Sequence, residues 1–244
     1  MNLFDRLVEQ ALVNNKEVAV LQPVVEKELL HHDILREMSH AGLLSGLTFI
    51  GGTCLRTCYG SLRLSEDLDF TGGSQFTRDS LSLLGQVLVK RLAVRYGLKV
   101  EVSEPVKEAG AVATWKLKIV TRPAQQHLPT QRINIDICSI PSYDCRPVLL
   151  RNPYGVDMGT SGLILQAQSR EEILADKFIA LAFRPNRIKN RDLWDIVWLK
   201  QNGIVLPLQL IERKVTDHRH VLGDFLSALQ QRVAQLTSDQ SVRN

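Results

Sequence analysis

The chain has no run of residues that is apolar enough to cross a bilayer. Its longest stretch without a formal charge, 38–55, contains four glycines and several hydroxyl side chains, which is too polar for a membrane-spanning helix. The N-terminus lacks the basic start and apolar core of a secretory signal peptide, because Asp5, Arg6 and Glu9 interrupt its apolar pattern. We therefore expect a cytoplasmic protein with no membrane partner.

Cysteine is also scarce, and the four that are present form no C-x-x-C pair. Zinc sites need thiolates and imidazoles at suitable spacing, and neither Cys54 and Cys58 nor the six histidines supply it. We expect free thiols, with Cys54 and Cys58 in the core. Most of the histidines are expected at the solvated surface.

Several common catalytic signatures are missing. The sequence has no G-x-x-x-x-G-K-[ST], no G-x-G-x-x-G, no H-E-x-x-H and no G-x-S-x-G. Their absence removes the usual signatures of P-loop NTPases, dinucleotide enzymes, zinc proteases and α/β-hydrolases.

The composition is that of an ordinary globular protein, with 44% hydrophobic and 23% charged residues in 244. The net charge of +4 permits an acidic partner without requiring one. A local basic cluster at 184–191 has four cations and no acid. It is typical either of a solvated loop between helices or of a surface that follows nucleic-acid phosphates.

Hydrophobic periodicity predicts an α+β fold with a mixed sheet. Two N-terminal helices precede a strand, a glycine turn and a short helix that ends at Gly60; a further helix runs from Thr77 to Tyr96. Ser169 is predicted to cap the start of a helix. Beyond it, apolar residues recur at helical spacing, which predicts further helices. We predict two domains, a core at 1–165 and a helical lobe at 166–244. The predicted strands are 47–50, 67–70, 98–102, 114–120, 132–138 and 163–166.

The segment that carries most chemical information is Ser65-Glu66-Asp67-Leu68-Asp69. On a strand, Asp67 and Asp69 project from the same face. Paired carboxylates suit Mg²⁺, which prefers hard oxygen ligands and often binds one or two carboxylates together with substrate phosphates. Asp136 lies on another predicted strand and could complete a two-metal site. An isolated D-x-D pair is more often an ordinary strand end or turn than a metal site, and Asp136 alone is also typical of a polar strand face.

A glycine turn at Gly51, Gly52 and Thr53 connects a predicted strand to a helix. Such a turn exposes backbone N–H groups at the positive end of a helix, where phosphates bind. Arg56 and Arg63 are candidate extra cations for a phosphate. They are equally good candidates for structural ion pairs near the acidic strand.

These motifs occur in an order that resembles one known family. The runs Ile50-Gly51-Gly52-Thr53-Cys54-Leu55-Arg56 and Arg63-Leu64-Ser65-Glu66-Asp67-Leu68-Asp69-Phe70 resemble the first motif of the AbiEii-type nucleotidyltransferase toxins, in the DNA polymerase β-like superfamily. Ile133-Asn134-Ile135-Asp136 is similar to the strand of the third carboxylate. The runs 172–181 and 191–196 resemble the A-x-K and R-D-x-x-D helical motifs.

The resemblance implies a polymerase β-like core and an Mg²⁺-dependent transfer of a nucleoside monophosphate from an NTP, with Mn²⁺ as an alternative metal. It implies a toxin with a cognate antitoxin, and the 3′ end of tRNA as an acceptor. It implies that Asp67, Asp69 and Asp136 bind metal. The nucleotide-binding residues that it implies are Gly51, Gly52, Thr53, Arg56, Arg63, Ser65 and Lys177. Asp192 would orient Lys177 or an acceptor group, and Asp136 could instead be a general base.

Two alternatives remain at the level of the sequence. The same site could modify a protein or small-molecule hydroxyl, since the acceptor is chosen by loops and grooves. The chain could also be an RNA- or partner-binding module with a degenerate nucleotide site, a hypothesis motivated by the cluster at 184–191.

Overall fold

The computed structural model describes residues 2–105, 112–122, 130–185 and 187–238. The chain folds into two compact units. The first unit comprises Met1–Ser139 and Cys145–Ala167, and the second comprises Ile140–Asp144 and Gln168–Asn244. The short segment Ile140–Asp144 therefore packs with the later helices, although it precedes them by more than twenty residues.

One mixed sheet forms the centre of the first unit in the described residues. Its strands are β1 Thr48–Ile50, β2 Leu68–Thr71, β3 Lys99–Ser103, β4 Val112–Val120, β5 Gln131–Cys138, β6 Cys145–Leu149 and β7 Ile164–Gln168. Their order in the sheet is β3-β4-β5-β2-β1-β7-β6. Strand β2 pairs in parallel with β5, and β1 pairs in parallel with β7, whereas β1–β2, β3–β4 and β4–β5 are antiparallel. The predicted mixed α+β fold is confirmed.

Strand β5 shows why the sheet has one buried and one open face. Ile133, Ile135 and Ile137 are at most 1% exposed, whereas Asn134 and Asp136 on the other face are half-buried. Alternation of this kind is expected when one face of a sheet packs on the core. The predicted inward isoleucines and outward Asp136 are confirmed.

Helices cover the isoleucine face of the sheet. The helices of this unit are α1 Leu3–Asn14, α2 Gln22–His40, α3 Gly51–Tyr59 and α4 Leu84–Tyr96. Helix α2 packs against β5 and α4, and α4 packs against β3. Helix α3 begins directly at Gly51, and Gly60 caps its end in the left-handed conformation that glycine accepts most readily.

The helix predicted from Thr77 to Tyr96 is divided in two. A 3₁₀ turn spans Arg78–Leu81, and α4 begins only at Leu84. Thr77 makes no side-chain capping bond, so the residue that suggested a helix start does not cap one. The predicted end of the helix at Tyr96 is confirmed, and Gly97, which follows it, adopts the left-handed conformation with φ +69°.

Most histidines are expected at the solvated surface, and His40, His218 and His220 are exposed, whereas His127 lies outside the described residues. Two histidines of α2 are exceptions. His31 and His32 are at most 1% exposed. A ring nitrogen of His31 bonds to the Glu66 carbonyl at 2.9 Å, and Nδ1 of His32 bonds to Thr160 Oγ1 at 3.2 Å. These partners lie far away in sequence, so the spacing of the histidines could not reveal their burial.

The second unit is helical, with α5 Arg170–Phe183, α6 Asn190–Gln201, α7 Leu208–Asp217 and α8 Leu222–Ser238. Ser169 caps α5 by accepting a hydrogen bond from the Glu172 amide at 3.1 Å, as predicted. Helix α5 packs against each of the other three. The buried core of this unit consists of Ala175, Ile179, Ala182, Ile211, Val215 and Phe225.

Two further observations concern the absences in the sequence. Cys54 and Cys58 are buried, and all four cysteines are free thiols, as expected. Throughout the described part of the chain, no helix combines the length and the apolarity that crossing a bilayer requires.

Candidate functional site

Three aspartates lie on the open face of the central sheet in the first unit. Parallel pairing of β2 with β5 places Asp69 directly opposite Asp136. Asp67 immediately precedes β2, and its charge is close enough to Asp136 to raise the pKa of that carboxyl. All three side chains are partly exposed. The register thus brings together carboxylates that are almost seventy residues apart in sequence.

Hydrogen bonds hold two of the three carboxylates, those of Asp67 and Asp136, in place. Oδ1 of Asp67 accepts the amide of Asn134 at 3.1 Å, and Oδ1 of Asp136 accepts the hydroxyl of Thr114 at 2.6 Å. Burial raises the pKa of Asp136, and the nearby negative charge of Asp67 raises it further, against the lowering effect of the Thr114 hydrogen bond. Repulsion between carboxylates of this kind is relieved when a cation binds between them.

The first turn of α3 lies beside these acids. Gly51 directly follows Ile50, the last residue of β1, and Ile50 is opposite Asp69 in the sheet. Gly51 has φ +76°, and a Cβ atom at this position would lie 2.7 Å from Asp69 Oδ2. Only glycine therefore allows the helix backbone to approach the carboxylate so closely. The amide groups of this turn and the positive end of the helix adjoin the acidic face.

Thr53 fixes the loop that leads into β2. Its side chain is buried, its hydroxyl donates to the Asp67 carbonyl, and it lies 2.8 Å from Ser65 Oγ. Because a hydroxyl has a single proton, Ser65 must donate to Thr53. The side chains of Thr53 and Ser65 thus support the Asp67 backbone, and the Thr53 amide remains part of the first turn of α3.

The two arginines of the first motif have different surroundings. Nε of Arg56 lies 3.1 Å from Glu28 Oε2, and the same carboxylate accepts the Tyr154 hydroxyl at 2.6 Å. Oε1 of Glu28 accepts the amide of Ser65 at 3.2 Å. Arg56 is therefore part of a buried network centred on Glu28, which supports the structural alternative for this residue.

Arg63 lies over the glycine turn. A Cβ on Gly52 would overlap its Nη2 atom, and its Nη1 atom donates to the Leu64 carbonyl at 3.0 Å. The half-buried guanidinium is thus placed at the first turn of α3. A cation and a helix N-terminus at the same place form a suitable environment for a phosphate.

The donors of this face suit a hard divalent cation, since all three aspartates offer carboxylate oxygens. They do not form a preassembled site: in the described ranges, no three acidic, imidazole or thiol groups converge closely enough to hold a metal. The chemistry of the donor set and their common face therefore fit Mg²⁺, whereas the detailed ligand geometry is not formed in this structure.

In the second unit, Lys177 of α5 faces two acids of α6. Its Nζ atom lies 3.1 Å from Asp192 Oδ1 and 2.8 Å from Asp195 Oδ2. The two acids are three residues apart, so they share one helix face. Both are buried, and the lysine side chain is 12% exposed. Lys177 is therefore a nearly buried cation with a fixed ammonium position.

The basic cluster at 184–191 begins next to this ion pair. Nη2 of Arg184 lies 2.9 Å from Asp192 Oδ2, so Asp192 binds Lys177 and Arg184 together. The positive charge of Arg191 lowers the pKa of Lys189, and partial burial and the charges of Arg184 and Arg187 act in the same direction. These cations are therefore close enough to repel one another.

Several residues that organise these sites were not predicted from the sequence. They are Glu28, Thr114 and Asn134, together with Asp195, which lies in the R-D-x-x-D motif but was given no role there. The spacing of Asp192 and Asp195 on one helix could have indicated a shared partner. Nothing in the sequence connects Glu28 to Ser65 or Thr114 to Asp136, because these contacts depend on long-range packing and strand register.

Comparison with known proteins gave two kinds of match. A model of the family described as nucleotidyl transferase AbiEii toxin, type IV toxin–antitoxin system, matches residues 33–243. Among solved structures, MenT4, a nucleotidyltransferase toxin from Mycobacterium tuberculosis H37Rv, is similar over 98% of this chain and 91% of its own, with a TM-score of 0.62 and 16% identity. This likeness is one of fold.

A second structure, JHP933 from Helicobacter pylori, is similar over 88% of this chain and 93% of its own, with a TM-score of 0.48 and 16% identity. No curated protein sequence matches this chain.

Proposed function

The chain belongs to the AbiEii family of nucleotidyl transferase toxins of type IV toxin–antitoxin systems, and from this premise we propose that it transfers a nucleoside monophosphate from an NTP to the 3′ end of tRNA. Membership makes the protein a nucleotidyltransferase toxin and implies an NTP substrate and an antitoxin partner. The observation that best supports the proposal is the opposition of Asp69 and Asp136 beside the first turn of α3.

Asp67 and Asp69 are the proposed metal ligands, with Asp136 as the third. When bound, Mg²⁺ or Mn²⁺ would neutralise charge on the triphosphate and favour ionisation of the attacking hydroxyl. The Thr114 hydroxyl orients Asp136 through its 2.6 Å hydrogen bond. Asp136 has a second candidate role as the general base that removes the proton of the acceptor hydroxyl.

The triphosphate is proposed to bind at the first turn of α3. The amides of Gly51, Gly52 and Thr53 can donate to phosphate oxygens there, aided by the positive end of the helix. Arg63 adds a cation at the same turn. Arg56 and Ser65 contribute by holding the loop that carries Asp67, through Glu28.

Lys177 is the proposed phosphate-binding residue of the second unit. Its ammonium is held by Asp192 and Asp195, so it keeps one orientation instead of sampling several. Phosphoryl transfer depends mainly on such positioning and on charge neutralisation. Asp192 is accordingly a positioning residue that acts through Lys177.

The test is incubation of the purified protein with Mg²⁺, each α-labelled NTP in turn and total tRNA. We expect label on tRNA from at least one NTP, and loss of that label in Asp69→Asn and after chelation of the metal. Asp79→Asn is the matched control, because Asp79 is an exposed acid on the Arg78–Leu81 turn. This variant should label tRNA as the wild type does.

Other results would redirect the proposal. Label on protein or on a small molecule, and none on tRNA, would retain the chemistry and replace the acceptor. Labelling that persists in Asp69→Asn would contradict the proposed metal site. RNA binding with no transfer under any condition would favour a binding module with a degenerate nucleotide site.

A further inference from the structure

The open face of β3, β4 and β5 carries an unusual concentration of positive charge. Antiparallel register places Lys118 opposite Arg132 and opposite Glu101, and places Lys116 opposite Asn134. Lys99 lies two residues from Glu101 and so projects from the same face. All four cations are exposed. We call Lys99, Lys116, Lys118 and Arg132 the basic sheet face.

The pairing of these charges works against the stability of the sheet. Like charges directly opposite each other on antiparallel strands are destabilising, and Lys118 and Arg132 are such a pair. Glu101 is 3.0 Å from Lys99 and 3.5 Å from Lys118, so one carboxylate is shared by two lysines. Among the described residues, no carboxylate lies within ion-pair distance of Lys116 or Arg132.

The basic sheet face is continuous with the three aspartates. Thr114 is opposite Asp136, and Lys116 is the next residue of β4 on the same face, about 7–8 Å away on the diagonal. An open hollow next to these strands is lined by Asp67, Asn134 and Arg132, together with the Lys27–Glu66 ion pair. A ligand whose reacting end lies at the aspartates can therefore extend onto the cations.

We propose that the basic sheet face binds the phosphodiester backbone of the RNA acceptor. This inference deepens the proposed function and rests on it for the identity of the acceptor. Arg132 lies four residue steps before Asp136 on β5, which corresponds to about 13 Å at the rise of a strand. Lys99 on β3 is two strands, or about 10 Å, away from β5.

The extent of the basic sheet face favours a polymer over a single nucleotide. Cations distributed over such an area match the repeated phosphates of a nucleic-acid strand, and each contact releases a counterion on binding. Lysine and arginine contacts of this kind position the strand without reading its sequence. The acceptor end would lie at the carboxylates, and the preceding nucleotides would lie along β4 and β5.

The experiment measures equilibrium binding of fluorescently labelled total tRNA to the full chain, without NTP and with metal chelated, so that no transfer occurs. The test variant is Lys116→Gln/Lys118→Gln/Arg132→Gln. The matched control is Arg6→Gln/Lys16→Gln/Lys90→Gln, which removes the same charge from exposed residues outside the sheet. Urea unfolding verifies that each variant is folded, and NTP binding is measured separately.

We expect the test variant to lose about tenfold or more in tRNA affinity at low salt, with the slope of log affinity against log salt reduced by about 2, since each lost single-strand phosphate contact removes about 0.7. The control variant should keep the wild-type affinity and slope. Binding of NTP should be unchanged in both variants.

Three results would overturn the inference. They are equal loss of affinity in both variants, loss of NTP binding with tRNA binding retained in the test variant, and absence of tRNA binding by the wild type. Failure of the proposed function is distinguishable: tRNA that binds as expected but is never labelled contradicts the transfer reaction and leaves the basic sheet face as an RNA-binding surface.

Discussion

Gly51 is the residue at which the candidate site has least room. Its left-handed φ of +76° disfavours any other residue, and an added Cβ would lie 2.7 Å from Asp69 Oδ2. The two effects are separable, because Gly97 has a similar φ of +69°, and a Cβ added there would meet no atom within 4 Å. A comparison of the two positions therefore isolates the contact with Asp69 from the backbone strain.

We predict that Gly51→Ala and Gly97→Ala each lower the free energy of unfolding by about 1 kcal/mol or somewhat more, from the left-handed backbone alone. Gly51→Ala should in addition lower nucleotide transfer at least tenfold, because it displaces a proposed metal ligand. The measurements are urea unfolding and the labelled-NTP assay. Equal activity of the two variants would show that Asp69 tolerates the displacement.

At the scale of elements, α2 shows how a helix can carry polar groups into the core. Burial lowers the pKa of His31 to about 3. The hydrogen bond to the Glu66 carbonyl raises this pKa, and the nearby charges of His32 and Lys27 lower it slightly further. Burial also lowers the pKa of His32 to about 4, with Arg36 and Arg56 adding to it. Burial raises the pKa of Asp33 to about 6, although the charges of Arg36 and Arg95 and the hydrogen bond from Tyr96 lower it.

These shifts predict that acid destabilises the protein. Between pH 6 and pH 4 the unfolded chain protonates both histidines, whereas the folded chain largely does not. Of these three groups of α2, only Asp33 takes up its proton preferentially in the folded state. Stability should therefore fall with decreasing pH, by at most about 1.4 kcal/mol per unit from these groups together. The measurement is urea unfolding over this pH range.

A variant tests the assignment of this pH dependence to α2. The double variant His31→Asn/His32→Asn removes the histidine contribution to the pH dependence. Of the three groups only Asp33 then remains, so their contribution to the slope of unfolding free energy against pH should change sign. His40→Asn, at the exposed end of the same helix, should retain the wild-type slope. An unchanged slope in the double variant would assign acid destabilisation to other groups.

Helices α5 and α7 of the second unit are joined by a buried cation. Nζ of Lys214 lies 2.7 Å from Glu172 Oε1 and 3.2 Å from Asp176 Oδ1, and it donates to the Pro141 carbonyl at 3.0 Å. Glu172 also accepts the amides of Tyr143 and Asp144. This network attaches the segment Ile140–Asp144 to the helices.

We predict that Lys214→Met destabilises the second unit by about 3–5 kcal/mol, because it leaves two carboxylates in or near the core without their cation. Lys200→Met, at an exposed lysine of α6 that donates only one hydrogen bond, to the Ile204 carbonyl, should lower stability by at most about 1.5 kcal/mol. Thermal or urea unfolding measures both. Equal stability of the two variants would mean that Glu172 and Asp176 find other partners or take up protons.

The sequence was informative about elements wherever a local pattern determined them. The alternation in β5 predicted a strand with one buried face, and Ser169 predicted the start of α5, since both signals act within a few residues. Strand β6 was missed because Cys145–Leu149 is mostly exposed and contains a proline, which weakens strand signals. The opposition of Asp69 and Asp136 followed only from strand order.

At the scale of the whole molecule, membership of a toxin family means that the activity can be followed in cells as slowed growth. We predict that expression of the wild-type chain slows growth, whereas Asp69→Asn and Lys177→Ala do not. The first variant removes a proposed metal ligand and the second a proposed phosphate-binding cation. Growth curves at matched expression level measure the effect, with Asp79→Asn as a variant that should remain toxic.

Toxicity that is equal in all variants would contradict an enzymatic origin. Toxicity that is lost in Asp69→Asn and kept in Lys177→Ala would retain the metal site and exclude the lysine from an essential role. In that case the ion pairs of Lys177 with Asp192 and Asp195 would be structural.

The place of β5 in the sheet also sets the order in which the site can be assembled. Strand β5 lies between β2 and β4, and its pairing with β2 places Asp136 opposite Asp69, although sixty-six residues separate the two in sequence. Pairings between distant segments form late, since loop closure must precede them. A nascent chain on the ribosome has no complete triad of acids until β5 has been synthesised and inserted. Because the proposed phosphate-binding Lys177 lies on α5, later still in the chain, we expect a nascent chain to have no transfer activity until both β5 and α5 have emerged from the ribosome.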